Sequence, residues 1–364
     1  MTRRTAAFRI ARQRGAALLA AMLTVTLVAT FAAAALWQQW RSAEVEAAER
    51  GRMQAAWVLI GAVDWTRLIL REDGRTAGPD HLAEPWAVPL EEARLASFVS
   101  GDKNISSDAL EGLPDAFLSG RIVDAQSKLN VMNLVAAGKP VKTAVAAFTK
   151  LFELLGLPAQ EVATLAANLQ RAVPAGVAPT AAAATATATG SADASANSPA
   201  SVPVGGGTTS ADAGADATGP LLPQRASQLA WLGLSPSTLA AIEPYVTILP
   251  VGTPLNLNTA TAEAIYASVP ALDMAGAKRL VSQRTRGHFK SVADAAAAAA
   301  VQEGSSEFND LQHSVSTRFF EVQGRLRLDR LWVEEHSLLR RDGLNVQIVW
   351  RDRGAGATAA PPKP

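Results

Sequence analysis

AALLAAMLTVTLVATFAAAAL, residues 16–36, decides the architecture. These 21 residues carry no charge. At 1.5 Å per residue, a helix of that length spans about 32 Å, the thickness of a bilayer core. Ahead of it stand residues 1–15, MTRRTAAFRIARQRG. They hold five arginines (Arg3, Arg4, Arg9, Arg12 and Arg14), no acid, and Gly15 at the end. Lys and Arg stay on the cytoplasmic side of a membrane, so the N-terminus faces the cytoplasm and the bulk of the chain faces out, in a bacterium into the periplasm. Trp37 and Trp40 follow the apolar run, where indole rings favour the headgroup layer.

Two simpler readings share these features. A secretory signal peptide would use residues 18–30 as its apolar region and end at Ala-Phe-Ala or Ala-Ala-Ala. A plain anchor would never be cut. Against both, helical sequence continues past the membrane. Residues 40–71 (WRSAEVEAAERGRMQAAWVLIGAVDWTRLILR) contain no Pro and are dense in Ala, Glu, Arg and Leu. Met53, Trp57 and Ile60 recur at helical steps and make Trp57 and Ile60 a candidate contact face. Gly51 and Gly61 weaken the helix locally. A basic leader, a Gly, a span and a continuing helix suggest a protein clipped after Gly15 and left anchored.

Composition narrows the function. Lys and Arg number 34, Asp and Glu 33, and loss of the five leader arginines leaves an excess of four acids. A mildly acidic mature chain binds nucleic acid poorly without specific contacts. There is no Cys, hence no disulfide, no thiolate nucleophile and no Cys-based zinc site. His81, His288, His313 and His336 are scattered without metal-ligand spacing, and neither a Gly-x-Ser-x-Gly elbow nor a phosphate loop is present. No enzyme reading survives.

Further along, Asp73-Gly74 and Gly78-Pro79 are turn pairs. Residues 116–134 (AFLSGRIVDAQSKLNVMNL) predict a strand or hairpin with Gln126 and Ser127 near its turn. Residues 141–155 and 159–172 predict two helices separated by Gly156 and Pro158. Residues 173–220 are almost wholly Ala, Thr, Ser, Gly, Pro and Asp, too poor in apolar surface to offset their ordering entropy, and predict disorder. Short helices follow at 224–232, 236–242 (capped by Ser235), up to 268 (capped by Asn258 or Thr259), 274–285, and after the Ser291/Asp294 capping box. Residues 317–350 alternate apolar and polar, with Asp342-Gly343 as a hairpin signal, and predict three antiparallel strands. Asn130, Asn133, Asn256 and Asn258 read as turn and cap residues.

The fold class is therefore α+β: a long N-terminal transmembrane, pilin-like helix packed on an antiparallel sheet, with an inserted all-α domain of helix-hairpin-helix or SAM-like character. The divisions are a leader (1–15), a span (16–36), a periplasmic helix with the first strands (37–134), the inserted helical domain (135–313, with 173–220 disordered), the terminal strands (314–350) and a disordered tail (351–364).

Four stretches resemble the minor pseudopilin K family of type II secretion: RQRGAALLA (12–20), GRIVDAQSKLNVMNL (120–134), IEPYVTILPVGTPLNLNTATAEAI (242–265) and the terminal meander. The resemblance implies a non-enzymatic subunit of the periplasmic pseudopilus, held in the inner membrane by a single pass until polymerisation extracts it. It implies that prepilin peptidase cuts between Gly15 and Ala16. It implies partnership with minor pseudopilins I and J and the inner-membrane secretion platform, with this subunit starting or capping the pseudopilus tip for export of folded proteins. Most pilin-like proteins carry Glu at mature position five; here that position is Ala20, a departure characteristic of this family. A buried unpaired charge inside a membrane costs several kcal/mol, so a subunit without that Glu cannot offer its pairing to a neighbour above. The family also implies a calcium site next to an acidic stretch. Residues 165–173 read LAANLQRAV instead, and no cofactor is expected.

The competing reading is a membrane-anchored or secreted protein that binds DNA. Residues 256–295 resemble a helix-hairpin-helix repeat, which binds phosphate through N–H groups of a glycine-rich hairpin. Here the hairpin is Ala271-Leu272-Asp273: two glycines are lost and a carboxylate points where phosphate would lie. Arg279, Arg284 and Arg286 then read as a solvated helix face, and nucleic acid is not the expected partner.

Overall fold

The computed structural model describes residues 14–76, 78–95, 116–173, 219–299, 308–328 and 331–357. Helix α1, Arg14–Asp73, runs for 60 residues, about 90 Å. Every residue from 16 to 50 is exposed, and Ala55 is the first to be fully buried. In the apolar span, the hydroxyls of Thr24, Thr26 and Thr30 donate to carbonyls three residues back, so no hydroxyl is left unpaired where water is absent. Beyond it, Glu46–Arg50, Glu49–Arg52 and Asp64–Arg67 pair along the helix. The helix stops where Gly74 meets a hairpin: a Cβ at Gly74 would lie 2.8 Å from the Gly343 carbonyl oxygen.

Strand β1 is Leu90–Arg94 and β2 is Ala116–Asp124. From β2 the chain enters the helical block. There β3 (Leu129–Asn130) is followed by a tight hairpin of β4 (Val135–Ala136) and β5 (Lys139–Pro140). Helix α2 is Lys142–Leu154, closed by Gly156 at φ +69°, and α3 is Gln160–Ala172. After residues outside the description come a 3-10 turn, Ala226–Leu232, ended by Gly233 in the left-handed region, and α4, Pro236–Ile242. Strand β6 (Val246–Thr247) runs parallel to β3, and β7 (Leu255–Asn256) runs parallel to β8 (His313–Ser314). Between β7 and β8 lie α5 (Ala262–Ser268), α6 (Met274–Arg284) and α7 (Val292–Ala298). Leu134, Phe148, Leu151, Phe152, Leu165, Leu169, Leu229 and Ile265 centre the core of this block.

The chain then returns to the first sheet. Strands β9 (Phe319–Leu328), β10 (Leu331–Asp342) and β11 (Asn345–Ala357) complete an antiparallel sheet of order β1-β2-β9-β10-β11. The helical block is thus inserted between paired strands β2 and β9, which register Ala116 with Leu328 and Asp124 with Phe320. Period two aims Leu118, Ile122, Phe320, Val322, Leu326, Val333 and Leu339 at α1. From the helix, Ala55, Leu59, Val63 and Leu70 fit between them. Gly324 permits the approach: a Cβ there would stand 3.3 Å from Leu59 Cδ2.

The structure corrects three expectations and adds one strand. The strands do not end at residue 350. β11 continues to Ala357, because its backbone pairs with β10 as far as Leu331 and Arg351 and Arg353 bind Glu335 from that strand. Strand β1, a charged LEEAR segment, carries no alternation to announce it; it is an edge strand with a bulge. Residues 226–232 form a 3-10 turn, where an α-helix was expected. The cap of α5 is Thr261, whose hydroxyl accepts the Ala264 N–H, while Asn258 and Thr259 are drawn into longer-range bonds. The low-complexity stretch falls outside the described residues apart from its ends, which meet: a Cβ on Gly219 would lie 2.6 Å from the Arg171 carbonyl oxygen.

Candidate assembly site

Gly15 and Ala16 lie in the first turn of α1, which contains no acid. Arg3, Arg4, Arg9 and Arg12 lie outside the described residues. Ala16 and Ala20 are exposed, and nothing else in the described chain covers residues 16–36. Among the described residues, one helix is long and apolar enough to cross a membrane, and it is this one. The proposed Trp57/Ile60 face divides. Trp57 is 72% exposed, whereas Ile60, turned about 60° away, is half-buried. The face that binds the sheet is the line Ala55, Leu59, Val63, Thr66 and Leu70. That line follows helical steps of three and four residues.

At the far end of α1 a polar junction fixes the helix to the rest of the molecule. Arg341 of β10 pairs with both Asp73 and Asp80, and also donates to the Thr317 carbonyl at 3.1 Å. Asp80 accepts the Thr317 N–H at 2.6 Å. Burial pushes its carboxyl up, against the pull of Arg341 and that N–H. Glu84 accepts the His81 N–H at 2.9 Å and the Trp86 indole N–H at 2.8 Å; burial still raises it to about 7. Asp73, Asp80 and Glu84 converge within 4.8 Å, and the guanidinium of Arg341 already serves two of them as counter-ion.

The second layer of the junction is made of side-chain amides. Asp124, at the end of β2, accepts from Gln126 N (2.7 Å), Asn256 Nδ2 (2.8 Å) and Thr259 Oγ1 (2.5 Å). Complete burial raises Asp124 to about 6 despite these donors. Asn256 Nδ2 also reaches the Asp80 carbonyl at 3.2 Å, joining the two layers. Gln126 donates to Pro254 O and accepts from Arg318 N. Asn133 clasps Thr253 through both N–H and C=O, and Asn258 clasps Phe289 likewise. Asn130 accepts from Met132 N and Leu249 N and donates to Val251 O. The asparagines are therefore more than turn formers: each replaces a backbone partner across residues distant in sequence.

Sequence spacing hid other contacts here. His81 and His288, from the loop after α1 and the α6–α7 loop, stack at 3.9 Å between ring centroids with 12° between planes. Burial, and then His288, hold His81 below its ordinary value. Glu335 is buried beneath α1 and paired with Arg351 and Arg353. No short-range pattern marks these groups.

The segment where the family's calcium site was expected does not fit that ion. Calcium takes six to eight oxygen ligands, usually several from carboxylates. Helix α3 offers one carboxylate, Glu161, while Leu165, Ala166 and Leu169 are buried apolar residues. Nor does the hairpin between α5 and α6 fit phosphate. Asp273 caps α6 by accepting the Gly276 N–H at 2.6 Å. Lys150 of α2 binds the Val269, Pro270 and Leu272 carbonyls at 2.8–3.0 Å and lies 4.0 Å from the Tyr266 ring. Arg284 donates to the Leu257 carbonyl at 2.7 Å, and burial lowers it to about 10. Arg279 and Arg286 are exposed.

Residues 127–251 and 255–316 match the family described as type II secretion system (T2SS), protein K, and together cover about half of the chain. The chain is similar to type II secretion system protein K of Pseudomonas aeruginosa, 26% identical over 356 residues that cover 96% of this chain and 95% of the relative. It is similar to the protein of the same name from Pectobacterium carotovorum subsp. carotovorum, 27% identical over 367 residues covering 96% and 99%. Its fold is similar to that of a chain in the crystal structure of the GspK-GspI-GspJ complex from the enterotoxigenic Escherichia coli type 2 secretion system. The TM-score is 0.56 at 17% identity, covering 84% of this chain and 98% of that one. A long apolar N-terminal helix on a five-stranded sheet, a helical block stitched in by amides, and these matches lead to one conclusion: the chain belongs to the protein K family of the type II secretion system, a non-enzymatic minor pseudopilin.

Proposed function

We propose that this subunit starts or caps the pseudopilus at its tip, for export of folded proteins across the outer membrane. The observation that carries the reading is at the start of α1. Its first turn holds no acid, and Ala20 stands where a pilin-like subunit would present Glu to the amine of its neighbour. A subunit that offers no partner to a neighbour above it suits an end of the polymer. The solved complex of a relative contains GspK, GspI and GspJ, and minor pseudopilins I and J are the proposed partners here. The rest of the proposal follows the same line. Prepilin peptidase cuts between Gly15 and Ala16, the span sits once in the inner membrane with its N-terminus in the cytoplasm, and the secretion platform draws it out during assembly. DNA binding gains no support from a hairpin whose N–H is taken by Asp273 and whose carbonyls are taken by Lys150.

N-terminal sequencing of the membrane-extracted protein tests the processing step. A start at Ala16 is expected; a start near Ala35 would mean a freed secreted protein, and an intact Met1 a plain anchor. For the tip assignment, Ala20→Glu is expected to leave secretion unchanged or reduced. A gain in secretion would overturn it.

A further inference from the structure

The helical block carries a groove of about 770 Å³. Buried Met132, Val135, Phe148 and Leu255 form its floor. Ala144 and Ala147, on one face of α2, form one wall; residues 252–255 and 309–312 form the other. Leu311 stands on that second wall and is 90% exposed. Backbone groups along this wall are already bonded. Asn133 binds the Thr253 N–H and C=O, Gln126 binds the Pro254 carbonyl, and the Gln312 carbonyl accepts the Leu255 N–H. Asn309 Oδ1 accepts from Leu311 N and Gln312 N. Past its first turn, α2 pairs its own backbone. The groove therefore offers apolar surface without the open backbone ladder that an incoming strand pairs with.

Charge around the groove is one-sided. Lys128 and Arg318 line it, and exposed Lys139 and Lys142 flank Val141, which also lines it. None of the four forms an ion pair with a described residue. Lys128 Nζ lies 3.5 Å from the carbonyl of Glu243, a residue outside the groove. Asp310 is the one acid among the lining residues. Val141 and Thr143 bring the start of α2 to the groove, and that helix has neither a capping side chain nor an acid in its first turn. Its positive end adds to the four cations. We propose that this groove receives an amphipathic helix of another protein. An apolar stripe covers the floor, and Asp or Glu side chains face Lys128, Arg318 and the start of α2. A helix arrives with its backbone already paired, as these walls require. It is about 10 Å wide with its side chains and covers Leu311, which an acyl chain lying on the floor would leave bare. The site uses neither Ala20 nor the outer face of α1, so it stands or falls apart from the tip assignment.

Fluorescence anisotropy with the full chain in nanodiscs, and empty nanodiscs as the blank, tests the site. The probe is a labelled synthetic helix of about 14 residues with a Leu stripe and Ala and Glu elsewhere. It is expected to bind about ten-fold more tightly than a scrambled peptide of the same composition. The same margin is expected over a version with Lys for Glu and over one broken by a central Pro. Ala147→Trp, which fills the groove, should weaken binding about ten-fold with the melting temperature unchanged. Lys142→Glu combined with Arg318→Glu should reverse the preference between the Glu and Lys probes. Equal binding of the scrambled or Pro-broken peptide overturns the helix as occupant. No binding up to about 1 mM, or binding that a folded Ala147→Trp chain retains in full, overturns the site. Binding of decanoate where the helix does not bind makes the occupant an acyl chain and overturns the proposal too. The chain has no cysteine, so Ala147→Cys supplies a single thiol, expected to react with a maleimide in the chain alone. If it stays unreactive while Ala146→Cys, at an exposed position of the same helix, reacts, the groove is filled from within and the proposal fails.

Discussion

At the scale of single residues, the junction depends on charges that are buried only because they are paired. Arg341 is 11% exposed and holds Asp73 and Asp80, which are 9% and 3% exposed. Arg341→Met would leave two buried carboxylates without their cation, a loss of about 3–5 kcal/mol. A urea midpoint followed by Trp fluorescence should fall accordingly. Asp124 makes stability depend on pH. Its folded value of about 6 lies above the ordinary carboxylate value of 3.8, so the folded state favours the protonated form. The stabilisation it contributes is complete below about pH 4 and is lost as pH rises through 6, by at most about 3 kcal/mol. The advantage of the natural chain over Asp124→Asn should therefore shrink between pH 4 and pH 7 in urea titrations. An advantage that grew with pH would mean that the three donors outweigh burial. His313 acts in the opposite sense: burial lowers it to about 4 from 6.5, so its contribution is lost as pH falls between those values.

Among the elements, legibility followed the range of the signal. Helix α1 could be read from its length, its missing charges and its lack of Pro, all local properties. The Ser235 cap and the Ser291/Asp294 box appear as expected, because capping needs residues only three apart. The terminal meander could be read from alternation. What could not be read was decided by partners far along the chain. The LEEAR and RDRGAGA segments become strands because β2 and β10 offer them backbone groups. Two of the four stretches quoted for the family resemblance, 120–134 and 242–265, face each other: Asn130, Asn133 and Asp124 of the first bind Leu249, Thr253, Asn256 and Thr259 of the second. Their sequence signal is therefore that of a joint. The long stretch between Arg171 and Gly219 leaves and returns at one place. Replacing residues 174–218 with a six-residue Gly/Ser linker should preserve the fold and raise its stability by about 1–2 kcal/mol through the shorter loop closure. A drop in melting temperature would show that the stretch packs.

For the whole molecule, two bodies share one hydrogen-bonded joint: α1 on the five-stranded sheet, and the helical block. The block's interior is apolar where relatives were expected to hold calcium, with Leu165 and Leu169 fully buried. Chelation with EDTA should therefore leave the melting temperature of the full chain unchanged, by differential scanning fluorimetry. A fall of several degrees would place a cation elsewhere in the molecule.

The pairing of β2 with β9 has a consequence for biogenesis. Phe117 must wait for Arg327, more than 200 residues downstream, before its strand gains a neighbour on that side. The body that supports α1 cannot close until nearly all of the polypeptide has been made. A nascent subunit is tethered early and finished late. In that interval its half-built sheet edge is open to proteases and holdases, and only molecules translated to the end can close the sheet beneath α1.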